Sequence, residues 1–175
     1  MWEIDKEFNF EMGHRVWSQK LNYTHLSLNN NCACKHLHGH SYKVKICLKS
    51  NKLNSSGMVT DFKNLNFFKQ FVDNVFDHRF MIDINDPNFE LITGISSKDL
   101  KDEFFTPNKK SIISDNDILC QNDHVKSFVV TNFIPTSENI CEFIFHHVSD
   151  YIQDVAEVSA VELWETAKSH CVYRK

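Results

Sequence analysis

The chain reads as an α+β domain, an antiparallel four-stranded sheet with two helices on one face. Three observations predict it. Two N-terminal segments alternate apolar and polar residues, two later segments switch to helical periodicity, and the C-terminal segment alternates again around a short turn. With 175 residues the chain suits a single domain, 1–175, and 42% hydrophobic residues with 15 Phe can fill a core. A net charge of -4 argues against a general nucleic-acid surface. No apolar run approaches the roughly 20 residues of a membrane span. The N-terminus, MWEIDKEFNF, is charged and alternating, unlike a secretory signal. A cytoplasmic protein is therefore expected, with its six cysteines reduced.

The first strand is expected in EFNFEMGHRVW, where Phe8, Phe10, Met12, His14 and Val16 share a face opposite Asn9, Glu11 and Arg15. HGHSYKVKICLKS alternates more strictly. His38, His40, Tyr42, Val44, Ile46 and Leu48 face one way, and Gly39, Ser41, Lys43, Lys45, Cys47 and Lys49 the other. These strands should pair, joined by a polar loop of about residues 18–36. DFKNLNFFKQFVDNVF carries a helical stripe of Leu65, Phe68, Val72 and Val75, flanked by Phe71 and Phe76, with Thr60 or Asp61 as N-cap. PTSENICEFIFHHVSDYIQDV predicts the second helix, capped by Thr136, with Ile140, Phe143, Ile144, Val148, Tyr151 and Ile152 as its stripe. VSAVELWET and KSHCVY predict a hairpin turning near Ala167–Ser169. Residues 84–124 show weak periodicity and are expected to form an inserted, elaborated loop with a short helix near Ser97–Phe105. A structureless loop of that length is unusual, so contacts in an oligomer are expected to order it.

His38 and His40 are two apart on a strand and point to the same face, a good bidentate arrangement for zinc. His14, ending the stripe of the neighbouring strand, is the best third ligand. Three histidines and an open position describe a catalytic zinc site. An HxH pair can equally decorate a strand end. A rival reading closes the site as a four-ligand clip of Cys32, Cys34, His38 and His40. Near a metal and Lys35, the Cys34 thiol is expected to ionise more readily than a free one and to act as base or nucleophile. FDHRF offers a carboxylate–histidine pair, Asp77–His78, although neighbours in sequence rarely bond each other directly. Glu138 lies in the first turn of the second helix, where a carboxylate favours the helix dipole. Glu165 continues the apolar stripe of Val161 and Leu163, so it requires a partner, and a ligand with a guanidine-like edge would supply one.

Six stretches, FEMGHRV, CKHLHGHSYKV, GMVTDFKNL, FDHRFM, PTSEN and WET, make the chain resemble the 6-pyruvoyltetrahydropterin synthase family, which includes bacterial 6-carboxytetrahydropterin synthase. They occur in family order from about residue 5 to residue 173, and the 84–124 insertion is longer than short members need. The resemblance implies a tunnelling fold (T-fold), with trimers stacking into a homohexameric barrel and active sites at subunit interfaces. It implies Zn2+ on His14, His38 and His40, Cys34 as proton acceptor, and Asp77 and His78 as a relay from a neighbouring subunit. Glu138 and Glu165, with backbone groups of Thr136 and Ser137, would hold the pterin. The implied substrate is 7,8-dihydroneopterin triphosphate, and neither nucleic acid nor a membrane is an implied partner. Cys34 stands at the Cys-x3-HGH spacing of the carboxy-forming enzymes, and WET looks like theirs. Cys32 stands at the Cys-x5-HGH spacing of the animal pyruvoyl-forming enzymes, so that branch stays open. A non-catalytic zinc- or pterin-binding protein is the alternative of another class. Arg15 and Lys35 are candidates for the triphosphate.

Overall fold

The structure, a computed structural model, describes residues 1–28, 31–100, 104–114 and 123–175. It contains β1 (Trp2–His14), α1 (Thr24–Ser27), β2 (His38–Ser50), α2 (Asn66–Phe71), β3 (Arg79–Asp83), α3 (Phe89–Thr93), β4 (Ile112–Ile113), β5 (Phe128–Thr131), α4 (Ser137–Ile152), β6 (Glu157–Thr166) and β7 (Ser169–Arg174). Among the described residues the sheet has seven strands, not four, in the order β4-β5-β3-β1-β2-β6-β7. It is also mixed, because β3 and β5 run parallel. Three strands escape the alternation rule for a physical reason. Phe128, Val129, Val130 and Thr131 are all buried, and a strand covered on both faces has no polar side to write into the sequence. The two residues of β4 are too few to show any period.

The chain separates into two compact units, one of Met1–Met12, His40–His78 and Ser137–Lys175, the other of Gly13–Gly39 and Arg79–Thr136. In the first unit, β2 and β6 pair antiparallel with Ile46 opposite Val161 and Val44 opposite Leu163. A bulge at Cys47/Leu48 breaks the alternation, so Ile46, Cys47 and Leu48 are buried in succession. The terminal hairpin turns at Ala167–Lys168, and α4 packs on β6 and β7. Along α4, Ile140, Phe143, Ile144, Val148 and Ile152 are buried as their spacing requires. Tyr151, expected in that stripe, is exposed and stacks flat on Phe67 at 4.8 Å.

The helix expected after residue 60 is three helical geometries in series. Asp61 caps a 3-10 turn, Phe62–Leu65, by accepting from the Lys63 N–H at 2.8 Å. Next comes α2, and then a π turn, Val72–Phe76, closed by the Asp77 N–H on the Val72 carbonyl at 2.9 Å. The wider turn moves the buried position from Val75, only half-buried, to Phe76, fully buried.

In the second unit, the insertion builds a core of its own. Phe89, Leu100 and Ile113 pack with Ile82, Val125, Phe128 and Val130. The helix α3 was not expected; Gly94 ends it at φ 69 with its N–H on the Glu90 carbonyl. Of the short helix expected near 97–105, Ser97–Asp99 form a turn and residues 101–103 lie outside the described ones. Among the described residues, Cys32, Cys34, Cys47, Cys141 and Cys171 are free thiols. No helix among the described residues is long and apolar enough to cross a membrane.

Gly13, just before His14, has no room for a side chain, because an added Cβ would run into the Phe80 ring. Gly13→Ala should therefore cost about 1–3 kcal/mol as overpacking. Urea unfolding of the variant against the parent protein measures it, and equal midpoints would show that the Phe80 ring moves aside freely.

Candidate metal centre and active site

His14 ends β1 fully buried. Its Nδ1 lies 2.7 Å from the carbonyl oxygen of Pro135. A carbonyl only accepts, so the neutral ring carries its proton on Nδ1 and its lone pair on Nε2. His38 opens β2 and repeats the device, with Nδ1 2.8 Å from the carbonyl of His36, two residues earlier. The two rings tilt at 48° with centroids 4.5 Å apart. One ligand atom each from His14, His38 and His40 lies within 4.8 Å of the others, so the three could hold a metal ion. Backbone carbonyls that fix the tautomer of two imidazoles are the usual support behind metal-binding histidines, and the donor set fits the expected ion. Neither Cys32 nor Cys34 belongs to this grouping among the described residues.

Glu165 meets His40 across 3.6 Å from Oε1 to Nε2. It sits where the β6–β7 register slips between Trp164 and Thr166. A bulge of this kind re-aims a side chain. The carboxylate thus has a protein partner, where the sequence pointed only to a ligand. Glu138 stands exposed in the first turn of α4, beside Ser137, whose carbonyl accepts from the Cys171 thiol at 3.1 Å. Thr136 is half-buried and gives its N–H to the Ile134 carbonyl at 2.8 Å.

Asp77 and His78 do bond each other, contrary to the expectation for neighbours. His78 takes a left-handed backbone, φ 59, that swings its Nδ1 to 2.9 Å from Asp77 Oδ2. The pair also brackets Glu11 in β1. The Glu11 N–H donates to Asp77 Oδ1 at 2.8 Å, and the His78 N–H donates to the Glu11 carbonyl at 2.7 Å. The Glu11 amide, and after it the His78 ring, hold the Asp77 carboxyl below its usual range.

Cys34 lies in a 3-10 turn, Ala33–Lys35, half-buried, and its carbonyl accepts from the Val16 N–H at 2.7 Å. Cys32, at the N-cap of that turn, is half-buried too. Two of the other thiols are held protonated. Burial, with Glu162 beside it, pushes Cys47 up to about 11. A hydrogen bond with Cys171, together with burial, keeps the Cys141 thiol protonated. Sequence reasoning missed the backbone supports: the carbonyls of Pro135 and His36 and both peptide groups of Glu11 carry no side-chain signal. His36, with no role in the sequence reading, contributes through its carbonyl.

An α+β fold thus brings together three histidines that could hold a metal ion, of which His14 is buried, with a carboxylate beside His40. The 6-pyruvoyl tetrahydropterin synthase family profile matches residues 3–175, and the chain belongs to that family. It is 32% identical over 186 residues to the 6-carboxy-5,6,7,8-tetrahydropterin synthase of Aquifex aeolicus, covering 99% of this chain and 98% of that protein. To the protein of the same name from Haemophilus influenzae it is 27% identical, with both chains covered in full. Among solved structures, an uncharacterized protein from Wolinella succinogenes superposes with a TM-score of 0.84 at 39% identity, covering 99% of this chain and 98% of that one. The Caenorhabditis elegans 6-pyruvoyl tetrahydropterin synthase shares the fold at a TM-score of 0.57 and 20% identity, covering 99% of this chain and 95% of that one.

The lowered Asp77 carboxyl has a pH signature. A depressed folded-state pKa stabilises the fold above the unfolded value, about 4, and that stability is lost as pH falls through the folded value. Asp77→Asn should therefore unfold at lower urea than the parent protein at pH 7, with a smaller gap at pH 3. A gap equal at both values would refute the charge argument.

Proposed function

We propose that the protein is a 6-carboxy-5,6,7,8-tetrahydropterin synthase. It would take 7,8-dihydroneopterin triphosphate to 6-carboxytetrahydropterin, releasing acetaldehyde and triphosphate, on a queuosine or related deazapurine route. The observation that carries this reading is the match over nearly the whole chain to a relative bearing that name. The histidine cluster supports it.

The Nε2 atoms of His14 and His38, with His40, would hold a zinc ion. Zinc bound there supplies Lewis acidity to side-chain hydroxyls of the substrate. The chain's own groups do the rest. The Cys34 thiolate accepts a proton from the substrate side chain. The Asp77–His78 pair, supplied by a neighbouring subunit of a homohexamer, carries protons onward, with Asp77 Oδ2 orienting the imidazole through Nδ1. Glu138 and Glu165 pair with the amino-pyrimidine edge of the pterin, aided by backbone groups of Thr136 and Ser137. Glu165, already in contact with His40, links pterin binding to the histidine cluster. The whole chain, 1–175, acts as one cytoplasmic synthase domain.

Mass spectrometry of products from 7,8-dihydroneopterin triphosphate tests the reading. Acetaldehyde and triphosphate together are expected, and absence of triphosphate release would refute it. The second reading, the pyruvoyl-forming reaction, draws on Cys32, half-buried at the N-cap of the same turn. It predicts 6-pyruvoyltetrahydropterin without acetaldehyde, and greater sensitivity to Cys32→Ala than to Cys34→Ala. On the leading reading, Cys34→Ala loses about 10²–10⁴-fold in kcat while Cys32→Ala stays active. Chelation should abolish turnover and added zinc restore it. Stoichiometric zinc on a His14→Ala variant would instead point to the closed cysteine–histidine clip.

A further inference from the structure

The end of β3 and the loop after it, where the insertion begins, carry two carboxylates that are almost fully buried: Asp83 and Asp86 are 2% and 4% exposed. Each divides its oxygens in the same way. Asp83 Oδ1 accepts from the Asn85 N–H and the Asn85 side-chain amide at 2.9 and 3.0 Å, and Asp86 Oδ1 accepts from the Asn88 N–H at 2.8 Å. These bonds hold the loop's own shape. The two Oδ2 atoms reach the segment that follows His14. Asp83 Oδ2 accepts from the Trp17 indole N–H at 2.9 Å, and Asp86 Oδ2 lies 3.0 Å from Arg15 Nε. A buried acid with one oxygen fixed to its own turn cannot follow a wandering partner, so the partner is held instead.

Between the two clamped residues lies Val16, whose N–H donates to the Cys34 carbonyl at 2.7 Å. The turn containing Cys34 continues through the His36 N–H on the Ala33 carbonyl, at 3.0 Å, to the His36 carbonyl that takes His38 Nδ1. One chain of bonds thus runs from the root of the insertion to the thiol turn and on to a histidine of the cluster. It also ties Arg15, a candidate for the triphosphate, to Asp86 through its Nε.

We propose that Asp83 and Asp86 are positioning residues that set where Cys34 stands relative to His14 and His38, acting through Trp17, Arg15 and Val16. The inference rests on the proposed role of Cys34 as proton acceptor. It gives the root of the insertion a function in the reaction, exerted through other residues.

Two variants test it. Trp17→Phe keeps an aromatic ring and removes the N–H held by Asp83. Asp86→Asn keeps the shape and removes the charge facing Arg15. In each, kcat should fall about tenfold with KM nearly unchanged, since a displaced base costs rate rather than binding. The rate at which iodoacetamide alkylates Cys34, followed by peptide mass spectrometry from pH 6 to 10, should change severalfold, while that of Cys171 stays put. Zinc content and melting temperature separate this from general damage. If activity falls only in step with lost zinc or lost folded protein, or if Cys34 alkylation and kcat both match the parent protein, the proposal is overturned. Should Asp86→Asn fail to fold, Trp17→Phe alone decides. The alkylation readout needs no substrate, so it stands even if the protein does not turn over dihydroneopterin triphosphate. Failure of the proposed function and failure of the clamp are therefore distinguishable.

Discussion

A fully buried histidine at the end of a strand has one polar obligation: its ring N–H must be given to an acceptor, because a buried donor without one costs about 1–3 kcal/mol. His14 meets that obligation with the Pro135 carbonyl. The consequence reaches well beyond one bond. With Nδ1 committed, the lone pair sits on Nε2, and the ring cannot flip without losing its acceptor. The stretch before α4 is tied in the same stroke to the end of β1. His38 obeys the same constraint through His36. A metal-binding set is thereby prepared by peptide carbonyls, which substitution of side chains cannot remove.

Strand periodicity explains why so much of this was legible. A stripe of Phe8, Phe10 and Met12 that must be buried carries His14 in with it, and the bounds of β2 coincide with the alternating segment read from the sequence. The C-terminal hairpin was legible for the same reason. What lay hidden falls into two kinds. The inner strands β3 and β5 are covered on both faces, so their residues do not alternate. The insertion has no period, yet Phe89, Leu100 and Ile113 are apolar enough to make a core once β3 and β5 stand beside them. Weak periodicity there meant short elements, not missing structure.

The candidate site divides along similar lines. Residue types announced the histidines, the thiol and the carboxylates, because those side chains are the chemistry. Supports made of backbone, such as Glu11 under Asp77 and His78, have no residue-type signature at all. Glu165 is instructive in another way. A carboxylate on an apolar stripe does demand a partner, and the sequence pointed to a ligand where the fold also supplies His40. The demand was sound; the number of groups able to answer it was underestimated.

The π turn at Val72–Phe76 makes this part of the chain a counting device. An α-helix advances about 100° per residue, and one residue more within a turn rotates everything downstream by that angle. Asp77 and His78 reach Glu11 only because that extra residue is present. Over evolutionary time the segment can exchange its side chains, provided Phe68, Val72 and Phe76 keep their bulk. It cannot change its length by one residue in either direction without turning the carboxylate–histidine pair away from β1. A deletion here would preserve an ordinary helix and its apolar stripe, and would break the one geometry that the pair depends on.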